Sequence, residues 1–143
     1  MPTRYATAAW EGRLRDGKGT FSGESGAISG DYSFGSRFQG AGGSNPEELL
    51  AAAEAACYSM ALNAALEKAG TPAERIDTRA ACKLEKHDAG WRITGIRLTV
   101  VARAPGADRD TFKDLAEATK SGCPVSQALL GNVELEVDAR LGE

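Results

Sequence analysis

Two cysteines of this chain occupy positions unlike those of ordinary buried thiols. Cys57 lies within an alanine-rich segment, and Cys123 directly precedes Pro124, a residue that favours the first turn of a helix. A thiol is a nucleophile only when it is ionised, and helix N-termini or neighbouring cations favour that form. Two such thiols, distant in sequence, indicate a pair in which one attacks a substrate and the other resolves the product.

The predicted surroundings of the three cysteines differ. Cys123 would precede the first residue of a helix, so its sulfur would face unpaired backbone N–H groups that lower its pKa. Cys57 would lie in the middle of a helix, without help from a helix N-terminus, so a cation has to favour its thiolate. Taken alone, Cys57 is equally typical of a small core residue. Cys82 lies in a predicted strand and is interpreted as a structural thiol.

Charged residues near these thiols have competing interpretations. Glu54 precedes Cys57 by three residues, so both lie on one helix face, where the carboxylate would raise the pKa of the thiol. Arg37 is the best-placed cation of a glycine-rich region, although an arginine in a loop is more often a solvated charge. Glu47 and Glu48 lie in a predicted first helical turn, where capping and complementation of the helix dipole also explain them.

Composition limits the classes of function. The chain has 143 residues, of which 42% are hydrophobic and 26% charged, and we expect one domain over residues 1–143. A net charge of −3 argues against nucleic-acid binding. With one histidine, His87, and no Cys-x-x-Cys motif, we expect neither a metal site nor Cys-His or Ser-His-Asp hydrolysis.

Location is also predicted from the sequence. Glu54 interrupts the most apolar segment, and the N-terminus lacks an apolar signal core, so we expect neither a membrane span nor membrane binding. Three cysteines without framework spacing are not typical of a secreted disulfide scaffold. A reducing cytoplasm fits best, and there a cysteine pair is more often catalytic than structural.

The periodicity of the sequence predicts an α+β fold. Asn45 as cap, Pro46 in the first turn and Gly70 after the end predict a helix to about residue 69. Asp108 or Asp110 is expected to cap a second helix. The remaining expected elements are a strand within residues 1–12, short strands with tight turns over 12–45, a hairpin of strands 76–85 and 91–102, the second helix to about residue 121, a short helix from Cys123-Pro124 to Leu130, and a strand over 133–141.

Several segments together resemble the OsmC/Ohr family (osmotically inducible protein C and organic hydroperoxide resistance protein), in particular its OsmC branch. They occur in the family's order and span nearly the whole chain. Met60 and Val125-Ser126 favour the OsmC branch. The matching segments are Ala9-Trp10-Glu11-Gly12, Gly17-Lys18-Gly19-Thr20, Phe34-x-x-Arg37-Phe38, Gly43-Ser44-Asn45-Pro46-Glu47-Glu48-Leu49, Ala52-Ala53-x-Ala55-Ala56-Cys57-Tyr58-Ser59-Met60-Ala61-Leu62 and Gly122-Cys123-Pro124-Val125-Ser126.

The resemblance implies a thiol-dependent peroxidase that acts on organic hydroperoxides and, less well, on hydrogen peroxide. Cys57 would be the peroxidatic residue and Cys123 the resolving one, while Arg37 and Glu47 would organise the reactive thiolate. It further implies an obligate, intertwined homodimer in which curved antiparallel sheets enclose two long central helices. No metal or prosthetic group would be used, and the reductant would be a dithiol, often a lipoylated protein.

Two other functions remain open at the level of sequence. A general dithiol oxidoreductase would need a protein-docking groove, and it usually carries the Cys-x-x-Cys motif that is absent here. A stress-inducible scaffold or small-molecule-binding protein would contain the cysteines incidentally.

Within one helix Glu47 and Cys57 are ten residues apart, or about 15 Å, so they cannot touch. If both act at one site, either a partner subunit brings them together or Glu47 acts through Arg37.

Overall fold

The computed structural model describes residues 1–142. It contains two compact units, residues 1–49 and residues 50–143, and each is described by itself. The single domain over 1–143 therefore stays a prediction. Helices and sheets are both present, and the α+β class is confirmed.

The first unit contains a three-stranded antiparallel meander in the order β1-β2-β3. Its strands are β1 (Ala6–Glu11), β2 (Lys18–Gly23) and β3 (Ser29–Tyr32). The expected short strands with tight turns are confirmed. Glycine is required inside β2, because a Cβ at Gly19 would lie 2.5 Å from the ring of Tyr32. The rings of Tyr32 and Trp10 pack with centroids 5.6 Å apart.

A short helix follows the meander, where the sequence indicated a loop. Helix α1 (Phe34–Phe38) begins at a capping box in which the Ser33 and Ser36 side chains each accept from the other's backbone N–H. Arg37 lies in its last turn and is therefore held by regular structure. The prediction of a loop arginine was wrong, because serine caps stabilise a turn too short for any apolar period to show.

Helix α2 (Pro46–Lys68) agrees closely with its prediction. The side chain of Asn45 accepts the backbone N–H of Glu48 at 2.8 Å, as expected of a cap. The second half of the expected capping box differs, because the Glu48 carboxylate accepts from the Ser44 hydroxyl at 2.7 Å. Gly70 follows the helix with φ +85°, a conformation that favours glycine.

Only one face of α2 is buried within the chain. Tyr58, Leu62 and Leu66 are fully buried, whereas Met60 on the opposite face is 77% exposed. By length and composition alone α2 could cross a membrane, so the charge of Glu54 does not by itself exclude a span, contrary to the expectation from the sequence. The core helix of a soluble protein meets the same criteria, and the three buried side chains place α2 in a protein core.

The second unit contains a mixed sheet in the order β4-β5-β6. Strands β4 (Arg75–His87) and β5 (Gly90–Arg103) form the expected hairpin, with an irregular register between Lys83 and Leu84. Strand β6 (Glu134–Leu141) pairs with β5 in parallel, so this sheet is mixed and differs at this one pairing from the antiparallel sheets that the resemblance implied. The reason is the long connection through α3 and α4, since a crossover allows a strand to return in the same direction.

Helices α3 (Arg109–Gly122) and α4 (Pro124–Leu129) form that crossover. Asp108 is the cap of α3 and accepts the backbone N–H of Thr111 at 3.0 Å, which decides between the two expected caps. The buried Tyr58 hydroxyl donates to the carbonyl of Ala116 on α3 at 2.6 Å. This bond ties α2 to α3 inside the core of the unit.

Candidate functional site

The fold brings Cys57 and Cys123 into contact. Cys57 lies in the middle of α2 and is half-buried, whereas Cys123 lies at the junction of α3 and α4 and is fully buried. Both are thiols, and a hydrogen bond joins them. Two cysteines far apart in sequence therefore interact, and Cys57 is the more accessible of the two.

The electrostatic surroundings of Cys57 mostly oppose its ionisation. Burial raises the pKa of the Cys57 thiol, and the hydrogen bond with Cys123 raises it further. The backbone N–H of Val125 acts in the opposite direction by donating to the sulfur, while the nearby charge of Glu54 again raises the pKa. The net direction is upward, so the resting thiol is less ionised than an exposed one at neutral pH.

The hydrogen bond from Val125 corrects one expectation about each thiol. Val125 lies in the first turn of α4, so the start of a helix does assist Cys57, although that helix is not its own. Cys123 makes no side-chain hydrogen bond to the helix that it precedes. The sequence predicted that backbone N–H groups at the start of α4 would lower the pKa of Cys123. The N–H of Val125 instead donates to the sulfur of Cys57.

A buried polar pair lies beside the two thiols. The Ser126 hydroxyl of α4 donates to Oε1 of Glu54 on α2, and both residues are fully buried. The second carboxylate oxygen, Oε2, is also buried and has no hydrogen-bond partner among the described residues. From the sequence, Glu54 was identified as a charge near Cys57, whereas Ser126 was noted only as a residue typical of the OsmC branch and its contact with Glu54 was not predicted.

The predicted ion pair of Arg37 and Glu47 is present in the first unit. Nη2 of Arg37 donates to Oε1 of Glu47 at 2.7 Å, and its Nε lies 3.2 Å from each carboxylate oxygen. Glu47 is 7% exposed, while the Arg37 side chain keeps 37% of its surface in solvent. The carboxylate therefore fixes the guanidinium through charge-assisted bonds and leaves part of it accessible.

The thiol pair and the ion pair belong to different units. Cys57 and Cys123 lie in residues 50–143, and Arg37 and Glu47 lie in residues 1–49. Along α2, Glu47 precedes Cys57 by ten residues, or about 15 Å of helix. The role of Arg37 and Glu47 toward the thiolate therefore stays a prediction.

The remaining candidate residues lie elsewhere. Cys82 is half-buried in β4, opposite Ile96 of β5, and it packs against the hydrophobic core. His87 is exposed at the end of β4. Within residues 1–142, no group of three or more histidine, cysteine or acidic side chains is arranged to hold a metal ion.

Comparison with known proteins identifies relatives of the chain by sequence. Residues 39–138 match the family described as "OsmC-like protein". The chain is 48% identical over 130 residues to a protein of Escherichia coli named Peroxiredoxin OsmC, covering 90% of this chain and 91% of that protein. It is 29% identical over 103 residues to Organic hydroperoxide resistance protein OhrB of Bacillus subtilis, covering 71% and 74% of the two chains.

The fold is also found in solved structures. A crystal structure of an organic hydroperoxide resistance protein OsmC from Legionella pneumophila matches with a TM-score of 0.80 at 23% identity. The match covers 98% of this chain and 98% of that one. At this identity the likeness establishes the fold.

Proposed function

Because this chain belongs to the OsmC-like protein family, whose named members include a peroxiredoxin and organic hydroperoxide resistance proteins, we propose that it is a thiol-dependent peroxidase. Its substrates would be organic hydroperoxides and, less well, hydrogen peroxide, each reduced to an alcohol or water. Its cellular role would be defence against oxidative or osmotic stress in the cytoplasm. The observation that carries this proposal is the direct contact of the Cys57 and Cys123 thiols.

In the first step the thiolate of Cys57 attacks the terminal oxygen of the hydroperoxide. The O–O bond breaks, the alkoxide leaves as an alcohol after protonation, and Cys57 becomes a sulfenic acid. The half-buried position of Cys57 allows a peroxide to reach its sulfur. Arg37, oriented by Glu47, would stabilise the thiolate and hydrogen-bond the departing oxygen.

In the second step Cys123 resolves the sulfenic acid. Its sulfur attacks Cys57, the S–S bond forms, and the hydroxyl group leaves as water. Full burial of Cys123 keeps peroxide away from the resolving thiol, while contact with Cys57 makes the step intramolecular. An external dithiol, such as a lipoylated protein, would reopen the disulfide by exchange.

We further propose that the protein acts as a homodimer. The ion pair of Arg37 and Glu47 and the thiol of Cys57 would then complete one site from two subunits. The separation of Glu47 and Cys57 along α2 supports this arrangement. It also explains why α2 exposes an apolar face in the single chain.

Counting thiols tests the proposed function. Reduced protein is treated with one equivalent of an organic hydroperoxide, the remaining thiols are alkylated, and the intact mass is measured. We expect two thiols per chain to be lost and one equivalent of alcohol to form. Retention of all three thiols would favour the non-catalytic scaffold, and a reaction with protein disulfides but not with hydroperoxides would favour the dithiol oxidoreductase.

A further inference from the structure

The buried pair of Glu54 and Ser126 takes part in neither of the two proposed steps. A fully buried carboxylate is uncommon, because removing it from water is costly unless its oxygens are hydrogen-bonded. Here Ser126 satisfies Oε1, and Oε2 is left without a partner among residues 1–142. Such an arrangement calls for a reason beyond packing.

The carboxylate is held between the helix that carries Cys57 and the first turn of the helix that Cys123 caps. Glu54 and Cys57 are three residues apart on α2, so they share a helix face. Ser126 lies in the first turn of α4, the helix that Cys123 precedes as its cap. Two interactions therefore join α2 to the start of α4. One is the hydrogen bond between Glu54 and Ser126, and the other is the interaction between Cys57 and Cys123. The charge of Glu54 is close enough to Cys57 to raise the pKa of its thiol.

Disulfide formation requires a proton to move from Cys123 to the hydroxyl group on Cys57. The attacking thiol must lose its proton, and the hydroxyl group that leaves Cys57 must gain one. Because Cys123 is fully buried, a protein group has to take this proton in place of bulk water. The acceptor must also be close to Cys57, where the proton is finally needed.

Other groups around the thiols are poor acceptors. The hydroxyl of Tyr58 already donates to a backbone carbonyl, and burial raises its pKa. Glu117 of α3 points outward, with 62% of its side chain exposed, and it is paired with Lys120. The N–H of Val125 on α4 is a donor. Glu54, with its unpartnered oxygen, is the base that remains.

We propose that Glu54 accepts the proton of Cys123 and returns it to the hydroxyl group that leaves Cys57. The Cys123 sulfur then attacks the sulfenic sulfur of Cys57, the S–S bond forms as the S–O bond breaks, and water departs. Cys123 is oxidised and the sulfenic sulfur is reduced, while Glu54 ends as the carboxylate it was at the start. This inference rests on the proposed peroxidase function.

The same carboxylate should have opposite effects on the two steps. In the first step its negative charge disfavours the Cys57 thiolate, so it slows the attack on peroxide. In the second step it removes a proton from a buried thiol, so it accelerates disulfide formation. A purely structural tie between α2 and α4 would not produce this change of sign.

Single-turnover kinetics of Glu54→Gln test the proposal. Reduced protein is mixed with one equivalent of an organic hydroperoxide and quenched at intervals with a sulfenic acid trap and an alkylating reagent. Intact mass then separates thiol, sulfenic acid and disulfide. Glutamine keeps the shape and the oxygen that Ser126 contacts but is not a base. We expect the first step at least as fast as in the wild type, and disulfide formation about 100-fold slower.

Two further variants separate chemistry from packing. Ser126→Ala keeps the carboxylate and removes the hydrogen bond, so we expect it to slow disulfide formation less than Glu54→Gln does. Glu67→Gln makes the same charge change at an exposed position of α2 and should leave both steps unchanged. If Ser126→Ala slows the second step as much as Glu54→Gln does, the pair is a structural tie and the proposal is wrong.

The remaining outcomes also decide the question. Equal rates of disulfide formation in Glu54→Gln and wild type would overturn the proton role, while peroxide consumption by both would leave the proposed function intact. Failure of the wild type to consume peroxide would instead overturn the function itself. Should Glu54→Gln not fold, the Glu54→Asp and Glu54→Asn pair replaces it: the aspartate variant must form the disulfide faster than the asparagine variant, and equal rates would overturn the proposal.

Discussion

The reactivity of Cys57 depends on a balance among its immediate neighbours. Burial, the Cys123 thiol and the charge of Glu54 all raise its pKa, and one backbone N–H, that of Val125, lowers it. The net direction is upward, so the thiol is less ionised at neutral pH than an exposed one. The proposed reaction therefore calls for a cation at the thiolate, and we propose Arg37, which is fixed by Glu47 and still partly accessible.

Substitution of Arg37 tests this requirement. We expect Arg37→Met to raise the pKa of Cys57 by about one unit or more and to slow the peroxide reaction at neutral pH about tenfold or more. Arg37→Lys should recover part of the rate, because lysine keeps the charge but loses the planar fork that binds Glu47. The rate of thiol alkylation as a function of pH, measured on each protein, gives the pKa directly.

An exposed arginine provides the matched control for that experiment. Arg75 pairs with Asp77 on β4, so Arg75→Met removes the same charge from a position outside the candidate site. Its alkylation profile should coincide with that of the wild type. If the Arg37 variants also coincide with the wild type, another cation such as Arg13 or Arg15 must stabilise the thiolate.

Serine substitutions distinguish the roles of Cys57 and Cys82. We expect Cys57→Ser to abolish peroxide consumption, because a hydroxyl group is a far weaker nucleophile than a thiolate at neutral pH. Cys82→Ser should retain nearly full turnover, since this residue packs at the core face of β4. Peroxide consumption with a dithiol reductant is measured for both. An essential Cys82 beside a dispensable Cys57 would reverse the assignment.

Loss of the resolving thiol should expose the intermediate. We expect Cys123→Ser to react once with peroxide and then to accumulate oxidised Cys57, because no neighbouring thiol can condense with the sulfenic acid. With excess peroxide the product should advance to sulfinic acid, a mass gain of two oxygens. Normal cycling of this variant with a dithiol would show that the reductant attacks the sulfenic acid directly.

At the scale of elements, local signals were readable from the sequence and contacts between distant segments were not. Helix α2 was predicted because Asn45, Pro46 and Gly70 mark its ends through interactions within a few residues. Helix α1 was missed, since its five residues are too few for a period to show. The parallel pairing of β6 depends on β5, which no local pattern specifies.

In the candidate site, too, local features could be predicted from the sequence and contacts between distant segments could not. Cys57 and Cys123 could be identified by residue type and predicted helix position, and the family resemblance supplied their pairing and the ion pair. The hydrogen bond from Val125 and the contact of Glu54 with Ser126 join α2 to α4 across most of the second unit. Such contacts depend on how two helices pack, and the sequence pattern of either helix alone does not reveal them.

The start of α2 provides a test at this scale. We expect Asn45→Ala to lower the free energy of unfolding by about 1 kcal/mol, because the N–H of Glu48 loses its acceptor. Asn45→Asp keeps an acceptor oxygen at the same place and should lose much less. Urea denaturation at one protein concentration measures both, and a shifted midpoint with an unchanged slope identifies a stability effect. Equal midpoints for alanine and wild type would mean that this cap contributes nothing.

At the scale of the whole molecule, the exposed face of α2 is the surface through which the proposed homodimer would form. Its outward residues follow a spacing of four and are all apolar, so they form one continuous stripe along the helix: Ala52, Ala56, Met60 and Ala64. Small residues let another helix approach closely, and an apolar stripe of this kind is unfavourable in water.

Mixed dimers show whether two subunits share one site. We expect light scattering to give a homodimer at micromolar concentration. Cys57→Ser and Arg37→Met chains, each deficient alone, are then co-expressed with different tags and the mixed dimer is isolated. In a shared site, Cys57 of one chain meets Arg37 of the other, so one of the two sites is intact and about half of the wild-type activity returns.

The same mixed dimer also tests the alternative, in which Arg37 and Cys57 of one chain form the site. If Arg37 acts on the Cys57 of its own chain, every site in the mixed dimer carries one defect, and activity stays at the level of the parent variants. A second mixed dimer of Cys57→Ser and Cys123→Ser supplies the control, because these thiols touch within one chain and neither site can be restored. Recovery in the first pair together with none in the second would show that the ion pair reaches the thiolate across the subunit interface.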